Sequence, residues 1–547
     1  MKKVMWAFLI SIGLTLGSMG VVHAESTTLQ SKIDATEEGG TLVLDANYTD
    51  SVTISKDITI DFAGHSLTTD GHGIYVESGA EVVITGDGSI NATGSVRAAI
   101  VNEGTLTVES GSFNSANWYT VKNFSVMNIN GGTFTQGDEN KANSSLIANG
   151  WFDGREVNGS VNDLGVVPPE KGSSAVAILT INGGEFVHKT TTSTIKSDDW
   201  SKTTITEGTF ESQNGFLIQA TGTVNVSGGT FTGYNAIATI YGLENEFGPE
   251  FEPGILTISD GTFNAQYLYR ADGIGEVTVT GGTFNLGTGL VVAASSKVST
   301  EITGGTYTVT VDENYIPDGY LLTQDGESYV VGPNLTISTD DKDVTFESDE
   351  PISNDYKLVV EKEELANEEA VMESVNEQIT TALEETKEEL LDSKLVATYD
   401  ISVKDSNDQV VKLENGNYAI SIKVTEDQVK GYNAFKVVYI NDKGEVAEIL
   451  DAVLANGVIT FETTHLSTYA IVGYNTVSLT EDDDEAIGDG TETPGESEEP
   501  TTPDTPAEET PEVPQTFDSL TTYVVAGIVS IIAIAGAVLY IRKKQTN

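Results

Sequence analysis

The chain has 547 residues, no cysteine, and a formal charge of -55 from 83 acidic residues against 28 lysines and arginines. That balance excludes nucleic acid, and any anionic surface, as a partner held by charge. Without disulfides, stability has to come from buried core, and the length is enough for several domains.

The first segment is Lys2-Lys3, an apolar run from Trp6 to Val22, and small residues ending at Ala24. This pattern predicts a secretory signal peptide over residues 1–24. Leu29-Gln-Ser-Lys-Ile33 then reads as a short capping helix, followed by strand-like Gly40-Thr-Leu-Val-Leu44 and Ile58 to Leu67.

From about residue 84 to residue 307 one unit recurs, in the form Val277-Thr-Val-Thr-Gly-Gly-Thr-Phe284. Its glycines, from Gly88 through Gly111, Gly132, Gly184, Gly208, Gly229, Gly261 and Gly282 to Gly305, lie 23, 21, 52, 24, 21, 32, 21 and 23 residues apart. A period of 20 to 25 residues built on alternating apolar segments predicts a stacked solenoid, with the two long gaps holding insertions. The glycine marks a repeated corner, because it takes positive φ without a Cβ clash. The aromatic two residues on (Phe113, Phe134, Phe186, Phe210, Phe231, Phe263, Phe284, Tyr307) is expected to point inward and form one ladder. A second strand follows in each coil, as in Tyr119 to Lys122, Ser145 to Ala148, Phe216 to Gln219 and Tyr267 to Arg270.

A coil of this length, with about three short strands and such an opening, resembles the right-handed parallel β-helix of the pectate-lyase-like superfamily. The resemblance covers residues 25–333 and implies a fold, since that fold carries lyases, hydrolases, adhesins and inert stalks alike.

The insertions lie at Gly150 to Ser173, Ser197 to Trp200 and Tyr241 to Gly254, all after the second strand of a coil. In a stacked coil they are expected to leave one edge of the rod together, which makes them the candidate functional loops. They carry Trp151, Phe152, Trp200 and Tyr241 beside Arg155, Asp198 and Asp199. Flat rings cover the apolar face of a sugar and carboxylates accept from its hydroxyls, so these seven residues form a candidate carbohydrate site. The plainer alternative is that the rings pin the loops to the rod and the acids solvate them.

Catalytic signals are weak. Asp198-Asp199 is an adjacent acid pair of the kind glycosidases use, but neighbours on a strand face opposite ways. Gly71-His-Gly73 resembles a fragment of the polygalacturonase pattern, without that family's order or its Arg-Ile-Lys segment. Arg155 and Arg270 sit in no lyase motif, and His65, His72, His188 and His465 are too scattered for a zinc set. No catalytic residue, metal site or cofactor is assigned.

Tyr315 to Val331 reads as a closing cap, since a solenoid end needs a non-propagating unit. Residues 334–475 read as an Ig-like β-sandwich with one amphipathic helix from about Glu363 to Leu391, carrying Met372, Val375, Ile379 and Leu383 on one face. The ending His465-Leu-Ser-Thr-Tyr-Ala-Ile-Val472 resembles the close of stalk modules in Gram-positive surface proteins.

Residues 476–516 form an acidic Pro/Thr-rich linker. Glu481 to Glu512 holds 14 acids and no Lys or Arg, a composition that cannot bury a core. In residues 517–547, Tyr523 to Ile541 is 19 uncharged residues before Arg542-Lys-Lys544, about 28 Å as a helix and enough for a transmembrane span with a cytoplasmic basic end. With Val513-Pro514-Gln515-Thr516-Phe517 ahead of it, this tail resembles a sortase sorting signal that departs from the usual Leu-Pro-any-Thr-Gly at its first and last positions. The resemblance implies sortase, peptidoglycan and membrane as partners. The expected fold is therefore all-β, a parallel β-helix followed by a sandwich, with a C-terminal transmembrane helix. The expected function is a cell-surface adhesin or glycan-binding rod recognising a carbohydrate or host ligand; a surface polysaccharide lyase or hydrolase, and a structural spacer, remain the alternatives.

Overall fold

The computed structural model describes residues 28–137, 143–151, 166–167, 169, 176–242, 253–292, 297–413 and 416–479. The segments read as signal peptide, sorting motif and C-terminal apolar span, and residues 480–516 of the expected linker, fall outside these residues, whereas 476–478 still belong to the strand Thr468–Ser478. Among the described residues, no helix is long and apolar enough to cross a membrane.

From residue 28 to residue 333 the chain winds into a right-handed parallel β-solenoid of about 12 turns. Each turn visits three faces. The first begins Gly40–Val43, Ile58–Asp61, Glu81–Thr85 and ends at Val298–Ile302. The second runs from Ser66–Thr69 through Ser112–Ser115 to Gly305–Tyr307. The third runs from Val52–Ile54 through Ile74–Val76, Ile100–Asn102 and Val121–Asn123 to the end of Thr283–Val292.

The Gly-Thr-Phe repeat produces this geometry. Phe113, Phe134, Phe186, Phe210, Phe231, Phe263, Phe284 and Tyr307 are all buried on the second face, and their rings stack at 4.5 to 4.9 Å. Burying one such side chain stabilises the fold by about 1.5–3 kcal/mol. The corner glycines ahead of them, from Gly111 to Gly305, hold φ between +98 and +127°. Gly88, in the first copy, is different: its φ is ordinary, but a Cβ there would lie 2.3 Å from Phe62 Cβ.

A second internal ladder joins the third face to the first. Asn102, Asn123 and Asn149 are fully buried, and each Nδ2 donates to the next Oδ1 at 2.7 Å. The last passes its bond to Thr203 Oγ1 at 3.1 Å. These amides also donate to turn carbonyls such as Gly104 O and Ser125 O, so the buried corner is satisfied from within.

Both ends are closed. At the first turn, helix Leu29–Ala35 buries Leu29 and Ile33, and the Asp50 carboxylate accepts from the N–H groups of Leu29 and Gln30. At the last, Gly305–Tyr307 pairs antiparallel with Ser328–Pro333, which hairpins with Tyr320–Asp325 and ends the parallel edge.

Residues 334–479 form two β-sheets around one core that includes Phe346, Ile401, Ile420, Val437, Phe461 and Tyr469. Strand Val446–Ala455 pairs with one sheet through its first half and with the other through its second. The helix is shorter than the sequence predicts. It spans Glu368–Thr386, Lys387 turns left-handed at φ 55°, and strand Glu388–Lys404 starts at once. Its buried row is Val371, Val375, Ile379 and Leu383, with Val371 in the place expected for Met372, packed on the outer side of the sheet. Asn354 ties this domain to the cap by donating to Asp318 Oδ1 and Tyr320 O at 3.0 Å.

Candidate functional site

The outward side of the third face distinguishes this solenoid. Its outer row runs in register Thr53, Tyr75, Val101, Lys122, Ala148, Lys196, Gln219, Thr239, Arg270. In a bare rod these positions would face water. Instead Val101, Lys122, Ala148, Lys196 and Thr239 are buried, so the strands are covered on both sides.

Over the rungs from Val101 to Ala148 the cover is an aromatic layer. Trp118, Phe124 and Trp151 are buried in it with Ala98, Val101, Val166 and Ala177, while Tyr75, Tyr119 and Trp200 lie half-exposed at its margin. Trp151 contacts Phe124 at 5.1 Å and meets Trp200 edge-on at 6.3 Å. Lys122 is 1% exposed; its Nζ donates to Gly150 O at 2.9 Å and sits 4.7 Å from the centre of the Phe124 ring. A buried ammonium is tolerable only with such acceptors and ring faces.

The three insertions do leave the rod at one corner, after Asn149, Ser197 and Ile240, which are linked in register through Ala220. The expected open patch is nonetheless altered. Trp151 is 3% exposed, Asp198 is fully buried and Asp199 is nearly so. Trp151 and Asp199 exchange backbone hydrogen bonds, which turns this pair inward. Asp198 accepts no side-chain hydrogen bond; Lys196 Nζ stands 3.1 Å from its Oδ1 as an ion pair without hydrogen-bond geometry. Trp200, at φ 53°, and Tyr241 are half-exposed at the corner. The aromatic cluster takes in Trp200 and not Tyr241. Phe152 and Arg155 lie outside the described residues. The backbones of Asp198 and Asp199 thus hold the turn, and their side chains present little surface to a ligand.

The open space lies where the layer stops. Toward the helix-capped end, the first rungs of the outer row are uncovered, and a groove of about 520 Å³ is lined by Ser51, Val52, Thr53, Gly71, His72, Tyr75, Glu77 and Arg97. Thr53 and Tyr75 form its floor, and corner residues of three successive turns form its wall. His72 rests against Trp118 with ring centres 5.9 Å apart, and its Nδ1 accepts the Ala98 N–H at 3.0 Å. The ring proton is therefore on Nε2 when the imidazole is neutral. The sequence offers little to single this groove out, because its residues come from three turns and only Gly71-His-Gly73 looks unusual.

Among the described residues, no group of three or more acidic or histidine side chains could hold a metal ion. Buried His188 has its pKa pushed down to about 4 by desolvation, and its ring bonds Ser212 and Thr190 inside the coil.

No family model and no curated protein matches this chain. A search of solved structures returns the tailspike protein of Acinetobacter baumannii phage AM24, 9% identical, covering 82% of each chain, with a TM-score of 0.21.

Proposed function

We propose that this protein is a glycan-binding β-helix displayed at a cell surface. The observation that carries the reading is the groove: on a rod otherwise lined by regular rungs, it joins a half-exposed aromatic floor to hydroxyl, imidazole, guanidinium and carboxylate groups. That mixture of one ring face and several convergent hydrogen-bonding groups suits a saccharide. The aromatic layer supports it, by holding the groove wall rigid through Trp118.

The role as an adhesin, with the rod held outward by sandwich, acidic linker and anchor, rests on the residue patterns at 1–24 and 476–547. Replacing Thr516 by Ala tests the anchor: the protein should move from the peptidoglycan to the membrane fraction. Unchanged fractionation removes the sortase reading.

Glycan-array binding by the full chain, with reducing-sugar release assayed alongside, tests the function. Binding without release is expected, and Tyr75→Ala should abolish it. Release of product would establish the lyase or hydrolase alternative, whereas neither signal would leave a structural spacer.

A further inference from the structure

We infer that the solenoid and the sandwich move as one rigid body, locked by a three-way joint centred on Asn334. Domains joined by a single chain crossing move against each other by default, unless their contact forbids it. Here the contact is built to forbid it.

The crossing has no slack. Val331 still belongs to the solenoid core and Ile337 already belongs to the sandwich core. Between them, Gly332 and Pro333 pair with Leu321 and Tyr320 of the cap hairpin, Leu335 O accepts the Ser348 N–H at 2.8 Å, and Thr336 bridges Glu347. Asn334 is 7% exposed and engages each of its polar atoms. Its N–H donates to Gly319 O of the cap at 2.8 Å, and its carbonyl accepts the Ile352 N–H of the sandwich at 2.8 Å. Its Nδ2 donates to Ile352 O at 3.2 Å, and its Oδ1 accepts the Thr336 N–H at 3.3 Å. A hinge needs residues free to absorb changes in φ and ψ. A buried residue bonded to both domains is not one.

A further edge closes the joint. Asn354, on the loop that carries Ile352, donates from its N–H to Asp318 Oδ1 and from Nδ2 to Tyr320 O, both at 3.0 Å. That N–H and the Ser353 hydroxyl hold the Asp318 carboxyl below the ordinary carboxylate range, so it is a charged acceptor at neutral pH. Gly319, between the two acceptors, sits at φ 86° in a turn closed by the Tyr320 N–H on Pro317 O, and a Cβ there would lie 3.3 Å from Pro351 Cβ. The cap turn, the connector and the sandwich loop therefore bond to one another in all three pairings. Swinging the sandwich about any one of these contacts strains the other two, as members of a connected network do. The loop cannot shift to relieve this, because Ile352 is buried in the sandwich core. Tension or rotation entering through Thr468–Ser478, the last strand of the sandwich, thus reaches the solenoid without an intervening pivot. This holds whether or not the groove takes a glycan.

The chain has no cysteine, so spin labels can be placed at chosen sites. Thr283→Cys on the solenoid and Glu462→Cys on the sandwich are exposed strand positions, and double electron–electron resonance between them reads the inter-domain distance in the full chain. One narrow distribution is expected. Asp318→Ala combined with Asn354→Ala should widen it about twofold, and so should Asn334→Ala, since each opens edges of the network. Thermal unfolding of each variant separates a loosened joint from a lost fold. Should Asn334→Ala fail to fold, the Asp318 and Asn354 double variant decides, because both of its residues are exposed. A broad or multimodal distribution in the parent overturns the rigid joint. A narrow parent distribution that the folded variants preserve overturns the role of this network.

Discussion

The rings of Phe210 and Phe231 stack 4.5 Å apart and 5° from parallel. Isolated aromatic pairs prefer offset or edge-on contacts, so the backbone imposes this arrangement: adjacent parallel strands lie about 4.8 Å apart, and identical rotamers on adjacent rungs must overlay. Phe231→Ala removes a ring with neighbours on both sides, Phe210 and Phe263. It should destabilise the solenoid by about 3–5 kcal/mol, read by thermal or denaturant unfolding. An unchanged transition would mean the ladder is not core.

The corner glycine makes a separate, backbone-level demand. Gly229 sits at φ +98°, and a Cβ would lie 3.0 Å from Gly208 O and 3.3 Å from Phe231 Cε2. Gly229→Ala should therefore cost about 1–3 kcal/mol through strain alone. Replacing Gly289, where a Cβ meets nothing within 4 Å and φ is ordinary, should be nearly silent by the same measurement.

How much of this was legible follows from what each position repeats. The Gly-Thr-Phe unit combines a backbone signal with an apolar one at a fixed period, so the second face, the corner and both caps could be read directly. The asparagine ladder could not. Asn102, Asn123 and Asn149 are polar residues at strand ends, where a turn is the ordinary expectation, and only the fold shows them closing on one another. The same holds for Lys122, Lys196 and Asp198, which a charge-based reading places in water and the fold buries. Trp151 stands in the sequence at the loop corner, but pattern cannot tell whether a ring beside a rod faces solvent or covers it.

Asn123 links that ladder in both directions, accepting from Asn102 and donating to Asn149. Asn123→Leu keeps the branched shape but removes the Nδ2 donor from the Asn149 side-chain carbonyl and from Ser125 O, while the Asn102 amide retains Gly104 O and Val126 O. Each stranded buried group costs about 1–3 kcal/mol, so the variant should unfold markedly earlier. A cost below 1 kcal/mol would mean that water or the backbone replaces the ladder.

His188 gives the pH dependence. Burial pushes its pKa down to about 4 from the ordinary 6.5, so between those values the unfolded ring takes a proton that the folded ring refuses. Its stabilising contribution is fully present above pH 6.5 and is lost as pH falls to 4, by about 3 kcal/mol when complete. Carboxylates titrate in the lower part of the same window, so the informative quantity is a difference. His188→Gln should show a flatter stability profile between pH 6.5 and 4 than the parent, and parallel profiles would refute the buried neutral ring.

Lys196 and Asp198 separate a structural from a ligand-binding role at the insertion corner. Both side chains are buried, 8% and 0% exposed, with Nζ and Oδ1 3.1 Å apart, and a buried pair of this kind is weak evidence of net stabilisation because desolvating two charges offsets their attraction. Breaking it is another matter. Asp198→Ala takes the carboxylate 3.1 Å away from the buried Lys196 ammonium and should destabilise the fold, by up to about 3–5 kcal/mol. Changing both partners together, Lys196→Met with Asp198→Leu, removes the charges along with their desolvation and should recover much of that loss. If Asp198 instead contacted a sugar, the double variant would be stable but unable to bind glycan. With binding assigned to the groove three or more rungs away, the double variant should keep its glycan affinity within about twofold, since distant, unshared sites act nearly independently. A double variant that folds and has lost binding would return the site to the insertion corner and remove it from Tyr75, His72 and Arg97.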